Sequence, residues 1–158
     1  MMDAIKKKGR YDRVYDQLAD LLKPHNNQIA AMATIASVLH NKFDYFFWTG
    51  FYLLNEGELI VGPYQGSVAC IKLKKDTGVC WAGINRKETI IVPDVHQFPG
   101  HIACDSRSNS EIVVPLKDFN GIIIGVLDVD SKDLNSFDEA DKEGLEKILT
   151  LIYPKVTK

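Results

Sequence analysis

The sequence predicts an α+β fold: a mostly antiparallel central β-sheet with N- and C-terminal helices packed on one side. Three observations lead there. Helical periodicity is confined to the two ends of the chain, β-rich runs fill the middle, and a hairpin signal joins the last two of those runs. With 158 residues, 46% of them hydrophobic and 25% charged, the chain matches one globular domain with a sizeable core. A net charge of −2 leaves no broad basic face for nucleic acid. The longest apolar stretches, residues 43–54 and 121–129, are too short to span a bilayer. No apolar segment follows the basic N-terminal cluster, so a single cytoplasmic domain over residues 1–158 is expected, its first nine or so residues a basic tail.

Each element has a local reason. Tyr11, Val14, Tyr15, Leu18, Leu21 and Leu22 recur at helical spacing, and Pro24 ends the run. Asn26 or Asn27 caps a second helix whose apolar face is Ile29, Met32, Ile35 and Leu39. Residues 45–54 are aromatic and β-rich, and Gly57 turns the chain into a strand at 59–61. Residues 89–92 form a short β-branched run closed by Pro93. Residues 111–116 and 122–129 flank Asp118-Phe119-Asn120-Gly121, the hairpin signal. Ser136-Phe137-Asp138-Glu139 reads as a capping box. It opens a last helix with Leu145, Ile148, Leu149 and Ile152 on one side and Gly144 as a weak point. Residues 92–110 make a long irregular loop carrying two histidines, two prolines and a cysteine, a composition that favours a functional loop.

The hairpin gathers carboxylates. A four-residue loop sets Glu111 opposite Asp128, and a two-residue loop sets it opposite Asp130. In both registers Glu111, Asp128 and Asp130 share one face, together with Ile122, Ile124 and Val126. Acids so placed repel one another, so they call for a cation or for one of them to keep its proton. An α-ammonium group fits, a divalent metal is the rival ligand, and a protonated carboxyl is a ready general acid.

The three cysteines, Cys70, Cys80 and Cys104, admit three readings: buried hydrophobes, a metal site, or a redox pair. Their spacings match no CxxC pattern, and a Cys₃His zinc site drawing on His96 or His101 is weakly signalled. Two thiols cycling between dithiol and disulfide suit separated cysteines in a reducing compartment better. Cys104 is the reactive candidate because it lies in the polar loop just ahead of Glu111, with His96, His101 and Arg107 as local partners. Cys80 falls near the start of a short helix.

The stretch VPDVHQFPGHIACDSRSNSEIVVPL, with GPYQGSVAC and GVLDVDS, closely resembles the free methionine-(R)-sulfoxide reductases, enzymes of the GAF fold. The resemblance runs from about Trp48 to the last helix. It implies reduction of free L-methionine-(R)-sulfoxide without a bound cofactor or metal, with electrons from thioredoxin and NADPH. It further implies that Cys104 attacks the sulfoxide sulfur and that Cys70 resolves the resulting sulfenic acid as a disulfide. By the same resemblance Glu111 and Asp130 assist protonation, and Asp128 binds the ammonium group. Trp48 and Tyr52 match pocket aromatics that hold the methyl end. Cys80 matches the third family cysteine, on the substrate side of the site. A homodimer is implied as well. The chain departs from the pattern where Trp81-Ala82-Gly83 follows Cys80: a bulky indole stands where small residues are usual, placed to reshape the pocket rim or restrain the helix. The rival function is a non-catalytic GAF module sensing a small molecule.

Overall fold

Side-chain alternation along two adjacent strands divides the molecule. The computed structural model describes residues 2–24, 26–101 and 104–154. Six strands, β1 (Trp48–Asn55), β2 (Glu58–Gln65), β3 (Lys72–Leu73), β4 (Ile90–Val92), β5 (Ser110–Lys117) and β6 (Ile123–Ser131), form one sheet of order β3-β2-β1-β6-β5-β4. Every neighbouring pair is antiparallel. Ile112, Val114, Leu127 and Val129 point to one face, where α1 (Ala4–Leu22), α2 (Gln28–Lys42) and α4 (Glu139–Leu149) supply Leu18, Ile35, Leu39, Leu145 and Ile148 to the main core. Their alternates Val113 and Val126 join Trp48, Tyr52 and the α3 helix (Gly78–Arg86) in a smaller core on the other face. The expected fold is therefore the observed one, with α3 alone on the second face. Among the described residues no helix is long and apolar enough to cross a membrane.

Several local expectations are corrected. The basic N-terminal segment is not a tail: Asp3 caps α1, whose first turns include Lys7. Lys7 is buried because its ammonium bonds Asp141 at 2.6 Å and the Ser136 carbonyl at 2.8 Å. Tyr11 and Tyr45 donate to the other Asp141 oxygen, so one buried carboxylate ties the first helix, the entry to β1 and the last helix together. That use of Tyr45 explains why β1 starts later than expected, at Trp48. Asn27 caps α2, yet Ile29 is exposed, and the buried face is completed by Ala31 and Ala36. The capping box sits two residues later than the motif suggested. Asp138 is the cap and Asp141 its reciprocal partner, while Ser136 is buried and donates to Ser131 at 2.7 Å.

The hairpin register is the one with Glu111 opposite Asp130, although the turn is not a two-residue loop. The Asp118 amide bonds the Ile122 carbonyl, and a bulge between Leu116 and Lys117 absorbs the odd residue. The bulge carries Ile124 off the acid-bearing face and onto the helical core, and Ile122 is left exposed.

Gly144 is no weak point but a packing requirement. A Cβ there would lie 2.3 Å from the Tyr11 ring, whereas one at Gly9 would meet only the flexible end of Arg13 at 3.3 Å. Gly9→Ala is expected to stabilise by about 0.5–1 kcal/mol through helix propensity. Gly144→Ala is expected to destabilise by roughly 1–3 kcal/mol through overpacking. Urea unfolding of the two variants checks both signs.

Candidate active site

The site is built on three neighbouring strands. Trp48 pairs with Asp130, Gly50 with Asp128 and Tyr52 with Val126 across β1 and β6, while Glu111 pairs with Asp130 across β5 and β6. Even-numbered positions of β1 and β6 share the face, so two aromatics and three carboxylates meet over one patch of sheet. Gly50 keeps the floor open, since a Cβ there would come within 2.6 Å of the Trp48 indole. The indole stacks on Tyr52 and Tyr64 at 5.8 and 5.3 Å. Its Nε1 donates to the Ser67 carbonyl at 3.0 Å, and the Tyr52 hydroxyl donates to the Cys70 carbonyl at 3.1 Å. These two bonds draw the loop after β2 over the aromatic pair.

A cavity of about 230 Å³ lies between that loop, the α3 N-terminus and the acidic patch. Trp48, Tyr52, Cys70, Cys80, Cys104, Glu111, Asp128 and Asp130 all line it, as does His101, whereas His96 and Arg107, the other expected partners of Cys104, do not. Cys70 and Cys104 are joined by a disulfide, with Cα atoms 5.7 Å apart. Ile102 and Ala103 of the motif before Cys104 lie outside the described residues. The disulfide takes both sulfurs away from the zinc reading, and His96 turns instead to Asp94 at 2.8 Å.

Burial sets the electrostatics. It is the first cause raising Glu111 and Asp130 well above the usual carboxylate range, and neighbouring Asp128 adds to both. Asp128 is raised as well, but Glu111 and Cys80 within donor reach oppose the rise. Asp128 is thus the acid best able to carry charge, with Glu111 and Asp130 holding protons. Its Oδ1 is buried without a hydrogen-bond partner among the described residues. Burial, followed by Asp128 and Glu111, also pushes the Cys80 thiol well up. Cys80 is therefore a neutral thiol and a poor nucleophile. Donor atoms of Cys80, Glu111 and Asp128 lie within 4.8 Å of one another, a spacing that suits a small cation or an ammonium group.

Three further side chains shape the site: the sequence pointed to His101 and Trp81, and Asp105 escaped it. His101 lines the cavity with Nδ1 4.0 Å from Glu111, and its Nε2 is buried without a partner among the described residues. Burial lowers its pKa, so the ring is neutral and the contact is not an ion pair. Asp105 accepts from Ser67 at 2.9 Å and from Arg107 at 2.6 Å, bracing the Cys104 loop against the Cys70 loop. The Ser67 contact spans two loops whose proximity no periodicity encodes. Trp81, the departure from the family pattern, is buried on α3 with its Nε1 3.5 Å from the Leu73 carbonyl. It restrains the helix that carries Cys80.

Residues 29–152 match the GAF domain model. The chain is 50% identical to GAF domain-containing protein A of Dictyostelium discoideum over 92% of both chains. It is 40% identical to the free methionine-R-sulfoxide reductase of Escherichia coli, over 82% of this chain and 78% of that one. The chain belongs to the GAF-fold free methionine-R-sulfoxide reductase family. A solved member from Neisseria meningitidis, in complex with its substrate, superposes with a TM-score of 0.86 at 38% identity, covering 96% of this chain and 89% of that one. Membership in the reductase family fits a site of paired cysteines beside protonated acids.

The raised Glu111 pKa has a measurable consequence for this family member. The folded state keeps the carboxyl protonated at pH values where the unfolded chain, with its ordinary value of about 4.3, ionises it. Ionisation of the unfolded chain therefore lowers wild-type stability as pH rises from that value towards the raised folded one. Glu111→Gln has nothing to ionise. It is expected to match the wild type near about pH 4 and to exceed it by about 1 kcal/mol or more near pH 8. Urea midpoints at the two pH values test this; a constant difference would mean that Glu111 is charged in the folded protein.

Proposed function

We propose that this protein reduces free L-methionine-(R)-sulfoxide to L-methionine with electrons drawn from thioredoxin. The reading rests above all on one observation: a Cys70–Cys104 disulfide borders a cavity whose carboxyl groups are held protonated by burial. The Cys104 thiolate attacks the sulfoxide sulfur while Glu111 and Asp130 supply a proton to the sulfoxide oxygen, which passes as hydroxyl to the Cys104 sulfur as its bond to the substrate sulfur breaks. Methionine leaves and Cys104 becomes a sulfenic acid. The Cys70 thiol displaces the hydroxyl as water and closes the disulfide, and thioredoxin returns both cysteines to thiols. In sum, sulfoxide and a dithiol become thioether, water and a disulfide.

The remaining residues bind. The unpartnered Oδ1 of Asp128 is an acceptor for the α-ammonium group. Trp48 and Tyr52 offer an aromatic wall to the S-methyl end. Cys80 borders the substrate as a neutral thiol and takes no part in electron flow. The electrons travel through thiols, with NADPH outside the protein and no bound cofactor required. A homodimer belongs to the same proposal and is read by light scattering.

The test is NADPH consumption with thioredoxin, thioredoxin reductase and the free (R)-sulfoxide. Wild-type turnover is expected, and Cys104→Ser is expected to lose at least ~10³-fold. Mass spectrometry after sulfoxide treatment of the reduced protein without reductant should find Cys70 joined to Cys104. A non-catalytic sensor would bind the sulfoxide and leave all thiols reduced, and normal turnover by Cys104→Ser would overturn the mechanism.

A further inference from the structure

The loop that carries Cys70 presents apolar side chains to water. Val68 is 85% exposed and Ile71 73%, on either side of Cys70, and both are among the most exposed large hydrophobic residues in the molecule. Their exposure does not come from a loose chain. The Ser67 carbonyl is held by Trp48, the Cys70 carbonyl by Tyr52, and the Ile71 carbonyl accepts from the Val61 amide at 2.8 Å. With three carbonyls tied to the sheet, Val68 and Ile71 stay exposed beside a disulfide whose Cys104 end is exposed as well. Lys72, Lys74 and Lys75 follow, all exposed; Lys72 pairs with Glu58 at 3.4 Å, and Lys74 and Lys75 give that side of the patch a basic edge.

An apolar centre astride a reducible bond, with exposed lysines along one border, is the anatomy of a transient protein interface. We propose that this patch is the docking surface for the protein dithiol that reduces Cys70–Cys104, a thioredoxin-type partner whose thiols sit in an apolar face with an acidic rim. The inference rests on the reductase reading and adds to it the place of contact. A thiolate of the docked partner attacks one sulfur of the disulfide and releases the other as a thiolate. The partner's second thiol then displaces the mixed disulfide. Two electrons and two protons pass to Cys70 and Cys104, and the partner keeps a disulfide.

The experiment reads this step without the sulfoxide. Oxidised wild type and the Ile71→Ser/Lys75→Glu variant, neither residue lining the cavity, are each reduced by thioredoxin and by dithiothreitol, and the second-order rates are compared. The variant is expected to react roughly tenfold more slowly with thioredoxin and within about twofold of wild type with dithiothreitol. Raising salt from about 0.05 to 0.3 M is expected to slow wild type several-fold with thioredoxin and the variant less. Equal thioredoxin rates for the two proteins, or an equal loss with both reductants, would overturn the docking surface. Failure of the reductase reading would show separately, as absence of sulfoxide turnover by a protein that thioredoxin reduces normally.

Discussion

The site depends on the register of β5 against β6. With Glu111 opposite Asp130, odd and even positions of the two strands divide cleanly: Ile112, Val114, Leu127 and Val129 enter the helical core, and three carboxylates face the cavity. A slip of one residue would exchange these sets, placing acids under the helices and four large apolar side chains in the site. The fold forbids it, because the apolar set is fully buried. The hydrophobic effect on one side of the sheet thus fixes where acids stand on the other. Burial then does the second part of the work, keeping protons on groups that water would ionise.

The same burial separates the cysteines. Cys80 is enclosed against Asp128 and Glu111, and its thiol stays neutral. Cys70 and Cys104 lie on loops, where two sulfurs can meet and part without disturbing the sheet. The Ser67–Asp105–Arg107 contacts hold those loops within reach of each other, and Trp81 holds the helix beneath. Two cysteines therefore belong to mobile chemistry and one to the wall.

What could be read from the sequence was whatever rests on parity, spacing or a long motif. Side-chain parity gave the shared face of Glu111, Asp128 and Asp130 under either hairpin register, and the contiguous motifs around Cys70 and Cys104 carried the resemblance. What escaped depends on partners distant in sequence. The Leu116/Lys117 bulge that turns Ile124 over is set by the turn geometry. Lys7 looked like part of a solvated tail, because Asp141, its partner, lies at the other end of the chain. The serine of the supposed capping box is taken by Ser131, which leaves Asp138 to cap. His101 reads from the sequence as a local partner of Cys104, and only the fold shows it neutral and beside Glu111.

The disulfide encloses a segment. Cys70 and Cys104 are 34 residues apart, and the loop they close contains α3, Cys80 and β4. Closing a loop of that length narrows the unfolded ensemble by about 3–4 kcal/mol. The oxidised chain is accordingly the harder one to unfold, and each delivery of electrons gives that margin up. Survival in a cell then follows the supply of reductant: a protein starved of electrons waits in its more protease-resistant form, and one in full turnover spends more time in the vulnerable one. The bond that records a completed reaction is also a clasp on the chain that performed it.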